Sequence, residues 1–154
     1  MNALENKIPP PIVGLLFGLI IWAISSVTEP VSIFNQLQGL VAVAILLVVG
    51  FGFAISGSIS FRIANTTVNP LKPETASSLV TSGVFKYSRN PMYVGLAIIL
   101  LAWTVYLAVP LGLLAIVGFM AYIQRFQIVP EERAMLKLFG AEFEVYQSMV
   151  RRWL

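Results

Sequence analysis

Charged residues are missing from three long stretches of this chain, and this limits the folds open to it more than any other feature. The stretches lie between Lys7 and Glu29, between Glu29 and Arg62, and between Arg89 and Arg125. Each is longer than the about 20 residues that a helix needs to cross the hydrocarbon core of a bilayer. Charged residues make up only 11% of the chain, against about 25% in soluble domains. The sequence therefore predicts an all-α integral membrane protein.

Four transmembrane helices are predicted, at about residues 9–27, 39–61, 91–107 and 110–129. The last two divide one uncharged run, which as a single straight helix would overshoot the bilayer by about 20 Å. Pro110 is the natural break because proline removes a helical hydrogen bond, so these two helices form a hairpin. The glycines of the second span are expected to let a neighbouring helix approach closely. A signal peptide is the rival interpretation of the first span, but no small-residue cleavage site follows it.

The polar parts of the chain are a loop over residues 62–90 and two short amphipathic helices over residues 131–150. The prolines of Asn69-Pro70 and Lys72-Pro73 favour an extended loop, and loops of this length are usually functional. In the C-terminal part, apolar residues recur at helical spacing, and Gly140 is a suitable stop between the two helices. The whole chain, residues 1–154, is predicted to form a single membrane-embedded domain.

The distribution of cations predicts the orientation of the chain in the membrane. With four spans, the N terminus, the loop over residues 62–90 and the C-terminal tail lie on one side, which then carries all 10 Lys and Arg residues. The positive-inside rule places that side, with both termini, in the cytoplasm. Any site formed between the loop and the C-terminal helices would face the cytoplasm as well.

Composition also excludes several classes of function. The chain has no His and no Cys, so it lacks the commonest general base, the usual transition-metal ligands and any thiol chemistry. No metal site is expected. The net charge of +3 comes from scattered residues, and without a basic stripe the sequence gives no reason to expect nucleic-acid binding.

Two polar clusters remain as candidates for chemistry. The first is residues 83–93, GVFKYSRNPMY, and the second is Pro130-Glu131-Glu132-Arg133, which follows the last apolar segment. Each has an ordinary structural explanation: Asn90-Pro91 suits the start of a helix, and acids suit its first turn. Their combination is unusual, and we predict that the two clusters meet to form a cofactor site.

Together these clusters resemble the signature of the isoprenylcysteine carboxyl methyltransferase family, which is related to membrane phospholipid methyltransferases. Residues 83–93 carry its first block. The second block comprises Arg125-Phe126, Glu131-Glu132, Leu136, Phe139-Gly140, Glu142-Phe143, Tyr146 and Arg151-Arg152-Trp153. The resemblance covers residues 79–154, whereas the first half shows only generic transmembrane character. One departure is Asn90, where many members have His, so a histidine-type base is lost.

The resemblance implies a membrane methyltransferase that uses S-adenosylmethionine and acts on a lipophilic acceptor entering from the bilayer. The residues that it assigns to cofactor binding are Gly83, Tyr87, Arg89, Asn90, Pro91, Tyr93, Glu131 and Glu132.

Three residues are the candidates for catalysis. The resemblance places Arg125 near the acceptor, and Tyr122 lies three residues earlier on the same helical face. The resemblance favours a carboxylate as the acceptor, which is compatible with the chemistry because an ionised nucleophile needs no base. An amine acceptor would need a base, for which Glu132 or a tyrosine is the candidate.

Other functions stay open at this point. One is a phospholipid or amine N-methyltransferase, and another is a sterol-reductase-like membrane protein that binds NADPH, since such enzymes have a similar C-terminal block. The third is a non-catalytic membrane scaffold protein. Binding of S-adenosylhomocysteine, of NADPH or of neither would separate the methyltransferases, the reductase and the scaffold.

Overall fold

The structure is a computed structural model that describes residues 5–31, 34–65, 74 and 76–154, and those residues form helices and connecting turns without any strand. Six α-helices follow one another: α1 (Pro10–Val27), α2 (Gln36–Ile63), α3 (Pro91–Tyr106), α4 (Gly112–Ile123), α5 (Val129–Phe139) and α6 (Ala141–Met149). A 3-10 helix at Gly83–Lys86 precedes α3, and a π-helix at Gln124–Ile128 joins α4 to α5. The predicted all-helical fold is confirmed.

Three helical runs in the described residues are long and apolar enough to cross a membrane: Pro10–Val27, Gln36–Ile63 and Gly112–Phe139. The helix Pro91–Tyr106 is apolar but shorter, with 16 residues. At 1.5 Å per residue it measures about 24 Å, less than the about 30 Å of a bilayer core. The chain therefore has the helices of an integral membrane protein, while the fourth span stays a prediction.

Helices α2 and α3 cross at glycines, as the sequence predicts for the second span. A Cβ atom added to Gly95 would lie 2.5 Å from the Gly50 carbonyl oxygen, and one added to Gly50 would lie 2.8 Å from the Ile99 side chain. At Gly57 an added Cβ would meet Met92 at 2.8 Å. The close approach is confirmed at these positions, but at Gly52 an added Cβ would meet nothing within 4 Å.

The turn between α3 and α4 falls where the sequence places it, around Pro110. Helix α3 ends at Tyr106 and α4 begins at Gly112. A Cβ on Gly112 would lie 2.9 Å from the Thr104 hydroxyl, so the start of α4 packs directly on the end of α3. Buried side chains of α1, α3 and α4, among them Ile21, Leu100 and Phe119, form the main core beside this turn.

The predicted break between the fourth span and the first C-terminal helix is wrong. Instead of ending near Val129, α4 continues through the π-helix into α5, and Pro130 lies inside this run. Proline leaves the carbonyl four residues earlier without its helical donor, and that carbonyl belongs to Phe126. Here the backbone N–H of Asn6 donates to the Phe126 oxygen at 3.0 Å. The N-terminal segment thus replaces the missing hydrogen bond, which lets the helix continue.

The loop predicted over residues 62–90 is described only in part. Helix α2 runs to Ile63, and most of the segment that contains Asn69-Pro70 and Lys72-Pro73 lies outside the described residues. Beyond it, the chain reaches the 3-10 helix at Gly83, which has a φ of +62°. That conformation favours glycine.

The two C-terminal helices are separated at Gly140, as predicted. Gly140 has a φ of +49°, and the chain turns there from α5 into α6. The side chains of Phe143 and Tyr146 on α6 pack against Val80 and Phe85 in a second core cluster. This packing places the C-terminal helices over the segment that carries the first polar cluster.

Candidate active site

The structure brings the two polar clusters together, as predicted. The Arg89 guanidinium lies 2.7 Å from the Glu132 carboxylate, and the Tyr93 hydroxyl donates a hydrogen bond to Glu131. Both contacts have local causes. Pro91 begins α3 and places Tyr93 in its first turn, while Glu131 and Glu132 occupy the first turn of α5.

Glu132 is held by two cations. Besides Arg89, Arg152 donates from Nε at 3.1 Å and from Nη2 at 2.7 Å to the same carboxylate. The hydrogen bond to Glu132 raises the pKa of Arg152 above its usual range. The charge of Glu132 is therefore balanced within the protein.

Glu131 differs from its neighbour because no cation pairs with it among the described residues. Its carboxylate instead accepts the hydroxyl proton of Tyr93, and both side chains line the same cavity. A buried carboxyl group without a cation beside it favours its neutral form, and a cationic ligand that enters the cavity would favour the ionised form. Glu131 is thus the acid of the pair that is available to a ligand.

The C-terminal tail is bound to the first cluster mainly through its backbone carbonyls. Arg89 donates from Nη1 to the carbonyls of Val150 at 2.8 Å and Gln147 at 3.0 Å. Asn90 donates from its side-chain amide to the Arg152 carbonyl at 2.8 Å. Asn90 precedes α3, but its side chain makes no capping hydrogen bond. The side chain binds the C-terminal tail instead.

A cavity of about 120 Å³ lies between these elements. Its polar lining comprises Ser78, Arg89, Asn90, Tyr93, Glu131, Glu132 and Tyr146. The main apolar lining comprises Phe61, Leu79, Val80, Phe85, Pro91, Met92, Met135 and Phe143. Burial raises the pKa of Tyr146 above its usual value, and its hydroxyl donates to the Phe85 carbonyl at 2.8 Å.

Two of the predicted cofactor residues are not part of the cavity lining. Tyr87 is 72% exposed and faces a shallow groove along α2. Gly83 lies at the start of the 3-10 helix and acts through its backbone conformation. The other six predicted residues, Arg89, Asn90, Pro91, Tyr93, Glu131 and Glu132, all line the cavity.

The candidate catalytic residues Arg125 and Tyr122 also lie outside the cavity lining. Arg125 is half-exposed, pairs with Glu5 at 3.5 Å and lies over the Phe126 ring. The Tyr122 hydroxyl is buried and has no hydrogen-bond partner in the part of the chain that the structure describes. Of the three, only Glu132 lines the cavity, and its two arginine partners leave it poorly suited to take up a proton.

Arg152 is the site residue that sequence reasoning missed. Residues Arg151-Arg152-Trp153 belong to the second block of the family signature described above. A cationic pair beside Trp is also typical of an interfacial anchor, however. Trp153 does pack against the main core. The signal that could have pointed to Arg152 was the imbalance of the second cluster, which holds two acids and a single cation.

Comparison with known proteins identifies the family. A sequence model described as phospholipid methyltransferase matches residues 37–142, which is more than half of the chain. The chain belongs to this phospholipid methyltransferase family, and the resemblance noted above is confirmed at the level of this wider group. The family indicates a membrane methyltransferase that acts on a lipid-related substrate.

One further relative adds no functional information. An uncharacterized protein of Haemophilus influenzae is 44% identical over 63 residues, which are 41% of this chain and the whole of that protein. No solved structure matches the chain.

Among the residues described, no three His, Cys, Asp or Glu side chains are grouped as a metal site requires.

Proposed function

We propose that this protein transfers a methyl group from S-adenosylmethionine to a lipophilic acceptor at the membrane surface. The observation that carries the proposal is the pairing of Tyr93 with Glu131 beside the pairing of Arg89 with Glu132. These contacts join the two polar clusters around one cavity. Family membership supplies the reaction class.

The cavity lining suits the chemical groups of this methyl donor. Glu131 offers a carboxylate for a sulfonium or an ammonium, and the Arg89 Nε is a buried donor without a partner among the described residues. That N–H suits a carboxylate, while the aromatic rings of Phe61, Phe85 and Phe143 suit a nucleobase. The cavity of about 120 Å³ is smaller than the about 300–1,000 Å³ of typical ligand pockets, so binding requires the lining to move apart.

The chain's contribution to catalysis is binding and positioning. The bound donor supplies an electrophilic methyl group on its sulfonium. Tyr93 fixes the Glu131 carboxylate, and the ring face of a tyrosine attracts a cation by about 0.5–2 kcal/mol. Holding the reacting groups in line can lower the activation barrier by about 7–11 kcal/mol. The apolar lining excludes water, which strengthens charge interactions inside the cavity.

A lipophilic carboxylate is the first candidate acceptor. It is already ionised at neutral pH, so its oxygen attacks the methyl carbon without loss of a proton. Arg125, half-exposed in the π-helix that follows α4, would orient such a carboxylate, which requires it to leave its long contact with Glu5.

An amine headgroup is the second candidate, and a specific observation favours it. The acid in the cavity that has no cationic partner among the described residues is Glu131, whose ionised form attracts an ammonium and repels a carboxylate. An amine must lose a proton to become a nucleophile, and Glu131, hydrogen-bonded to Tyr93, is better placed to accept it than the doubly paired Glu132. The description of the family as phospholipid methyltransferases agrees with an amine headgroup.

The proposed enzyme has four spans, with both termini and the cavity on the cytoplasmic side. The positive charge of the loop and the C-terminal tail supports this orientation. A lipid acceptor would then reach the cavity from the inner leaflet, and the water-soluble donor would reach it from the cytoplasm.

A methylation assay tests the proposal. Purified protein is incubated with methyl-labelled S-adenosylmethionine and a crude lipid extract, and the labelled product is identified. A labelled ester would support a carboxylate as the acceptor, and a labelled amine would support an amine headgroup as the acceptor. Absence of any labelled product, together with binding of NADPH in calorimetry, would support a reductase instead; binding of neither nucleotide would support a scaffold protein.

A further inference from the structure

The two adjacent glutamates in the first turn of α5 differ in what balances their charge. Glu132 lies 2.7 Å from Arg89 and 2.7 Å from Arg152, so its carboxylate is ionised and paired within the protein. Glu131 instead accepts a hydrogen bond from the Tyr93 hydroxyl, and no cation pairs with it among the described residues. The same cavity is therefore lined by one acid with two cationic partners and by one acid whose partner is neutral.

The surroundings of Glu131 favour the neutral form of its carboxyl group before a ligand binds. Tyr93 is only 5% exposed, Pro130 is buried, and the cavity lining is largely apolar. An ionised carboxylate in such a place is costly unless an opposite charge accompanies it, and the group takes up a proton instead. The Tyr93 hydroxyl donates a hydrogen bond but brings no positive charge, so it offsets only part of that cost.

A bound cation reverses this preference. S-Adenosylmethionine carries a sulfonium and an ammonium, and S-adenosylhomocysteine keeps the ammonium. An opposite charge next to a carboxyl group favours its ionised form. When such a cation binds, the O–H bond of the Glu131 carboxyl group breaks, the proton passes to water, and the carboxylate pairs with the cation. The released proton carries away the positive charge that the cationic group of the ligand brings in.

We propose that binding of the cofactor releases about one proton from the Glu131–Tyr93 pair, and that Glu131 thereby selects nucleotides that carry a cation. This inference rests on the proposed function and adds the dependence of that site on pH. At acidic pH the ligand must displace a proton, so its affinity rises by about tenfold per pH unit. Once Glu131 is ionised without the ligand, the affinity no longer depends on pH.

The other titratable groups near Glu131 do not supply this proton at neutral pH. Glu132 is already ionised, and arginine stays protonated. Burial raises the pKa of Tyr146 above its usual value, so its hydroxyl, which donates to the Phe85 carbonyl, keeps its proton.

The groups that face Glu131 or its neighbour come from every element around the cavity. They are Tyr93 of α3, Glu132 of α5, Tyr146 of α6, Arg89 of the segment before α3 and Arg152 of the tail. Four further groups of the neighbouring helices and the N-terminal segment lie outside the cavity lining: Glu5, Tyr122, Arg125 and Arg133. Among all of these, Tyr93 is the one that shares a hydrogen bond with Glu131, so the two titrate as a pair.

Calorimetry in two buffers counts the released protons. S-Adenosylhomocysteine is titrated into the purified protein at about pH 6, once in phosphate and once in Bis-Tris. These buffers differ in their heat of ionisation, so the difference in the observed heat gives the number of protons. We expect about one proton released from the wild type and none from Glu131→Gln, because Gln is a neutral isostere of the protonated acid. Equal proton release in the two proteins would overturn the inference.

The neutral nucleotide 5′-methylthioadenosine is the matched control ligand. It keeps the nucleobase, the ribose and the thioether but has neither the ammonium nor the carboxylate. We expect it to bind the wild type without proton release and with an affinity that does not change with pH. If it released as many protons as S-adenosylhomocysteine, the proton would come from movement of the cavity lining rather than from pairing with a cation, and the inference would be wrong.

Tyr93→Phe shows which member of the pair loses the proton. If Glu131 loses it, the variant still releases about one proton. Its affinity then continues to rise up to a higher pH than in the wild type, because the carboxylate has lost a hydrogen-bond donor. Loss of proton release in this variant, with an unfolding midpoint near that of the wild type, would assign the proton to the tyrosine and contradict the role of Glu131.

The pH dependence of binding separates this inference from the proposed function. Between about pH 5.5 and 7.5, affinity of the wild type for S-adenosylhomocysteine should rise with pH while that of Glu131→Gln stays constant, so the two converge as the pH falls. Saturable binding to the wild type that neither releases a proton nor changes with pH would overturn the proton coupling and leave the cofactor site intact. Absence of binding throughout this range would instead reject the proposed function, and the coupling with it.

Discussion

Two Arg–Glu–Arg groups occur among the described residues, and they differ mainly in the burial of their arginines. In the inner group, Glu132 binds Arg89 and Arg152, whose side chains are 11% and 34% exposed. In the outer group, Glu5 binds Arg125 and Arg133, whose side chains are 53% and 52% exposed. The Glu5 side chain itself is only 7% exposed, against 14% for Glu132, so the contrast lies in the arginines. The outer arginines keep their contact with water, so their attraction to Glu5 is screened. The inner group depends on its partners, because a buried charge left unpaired is costly.

The difference in burial also corresponds to a difference in what each group connects. The inner group joins the loop before α3, the first turn of α5 and the C-terminal tail around the cavity. The outer group joins the N-terminal segment to the π-helix and α5 at the surface. We therefore expect substitutions in the inner group to affect both stability and ligand binding, and those in the outer group to affect stability little.

The largest effect on stability is expected for Glu132→Gln. The substitution removes the shared carboxylate and leaves Arg89 and Arg152 without an opposite charge in a partly buried place. We expect a loss of about 2–3 kcal/mol in the free energy of unfolding, measured as a lower unfolding midpoint in detergent. An unchanged midpoint would mean that the backbone contacts of Arg89 hold the tail without Glu132.

The next effect concerns the ligand rather than the fold. In Glu131→Gln the amide oxygen can still accept the Tyr93 hydroxyl, so the unfolding midpoint should stay near that of the wild type. Loss of a charged partner costs about 1.5–3 kcal/mol, which predicts about 10- to 150-fold weaker binding of S-adenosylhomocysteine in calorimetry. A midpoint that falls as far as in Glu132→Gln would assign Glu131 a structural role.

A smaller and more selective effect is expected for Arg125→Ala. Its contact with Glu5 is long and solvated, so stability should change by less than about 1 kcal/mol, and cofactor affinity should stay unchanged. Turnover of a carboxylate acceptor should be lost if Arg125 orients it. Wild-type turnover in this variant would restrict Arg125 to an anchoring role and favour the amine acceptor.

The smallest effect is expected for Glu5→Gln, the outer counterpart of Glu132→Gln. The two exposed arginines regain hydration when the carboxylate is removed, so we expect a loss of about 1 kcal/mol or less in the free energy of unfolding. The same detergent unfolding measurement applies. A loss equal to that of Glu132→Gln would contradict the view that the burial of the arginines separates the two groups.

The parts of the fold that depend on composition could be predicted from the sequence. Uncharged runs indicate membrane-crossing helices, and Pro110 and Gly140 mark turns, because these signals are local. Continuity through Pro130 could not be predicted in this way. It depends on a hydrogen bond from Asn6 to Phe126, and no local pattern indicates a donor from so distant a part of the chain.

The candidate site was predictable where it depended on neighbouring residues of one motif. The clusters around Tyr93 and Glu131 meet, but the different environments of Glu131 and Glu132 depend on Arg152, 20 residues further along the chain. Tyr87 lies within the motif yet faces away from the cavity, because a 3-10 helix distributes adjacent side chains to different faces. Such orientations follow from tertiary contacts that sequence spacing does not specify.

Calorimetric titration with S-adenosylhomocysteine tests most directly whether the two polar clusters form a cofactor site. The titration compares the purified wild-type protein with the Glu131→Gln variant. We predict saturable one-site binding to the wild type and binding weaker by at least about tenfold in Glu131→Gln. Absence of saturable binding to the wild type, or equal affinity in the two proteins, would contradict a cofactor site built on Tyr93 and Glu131.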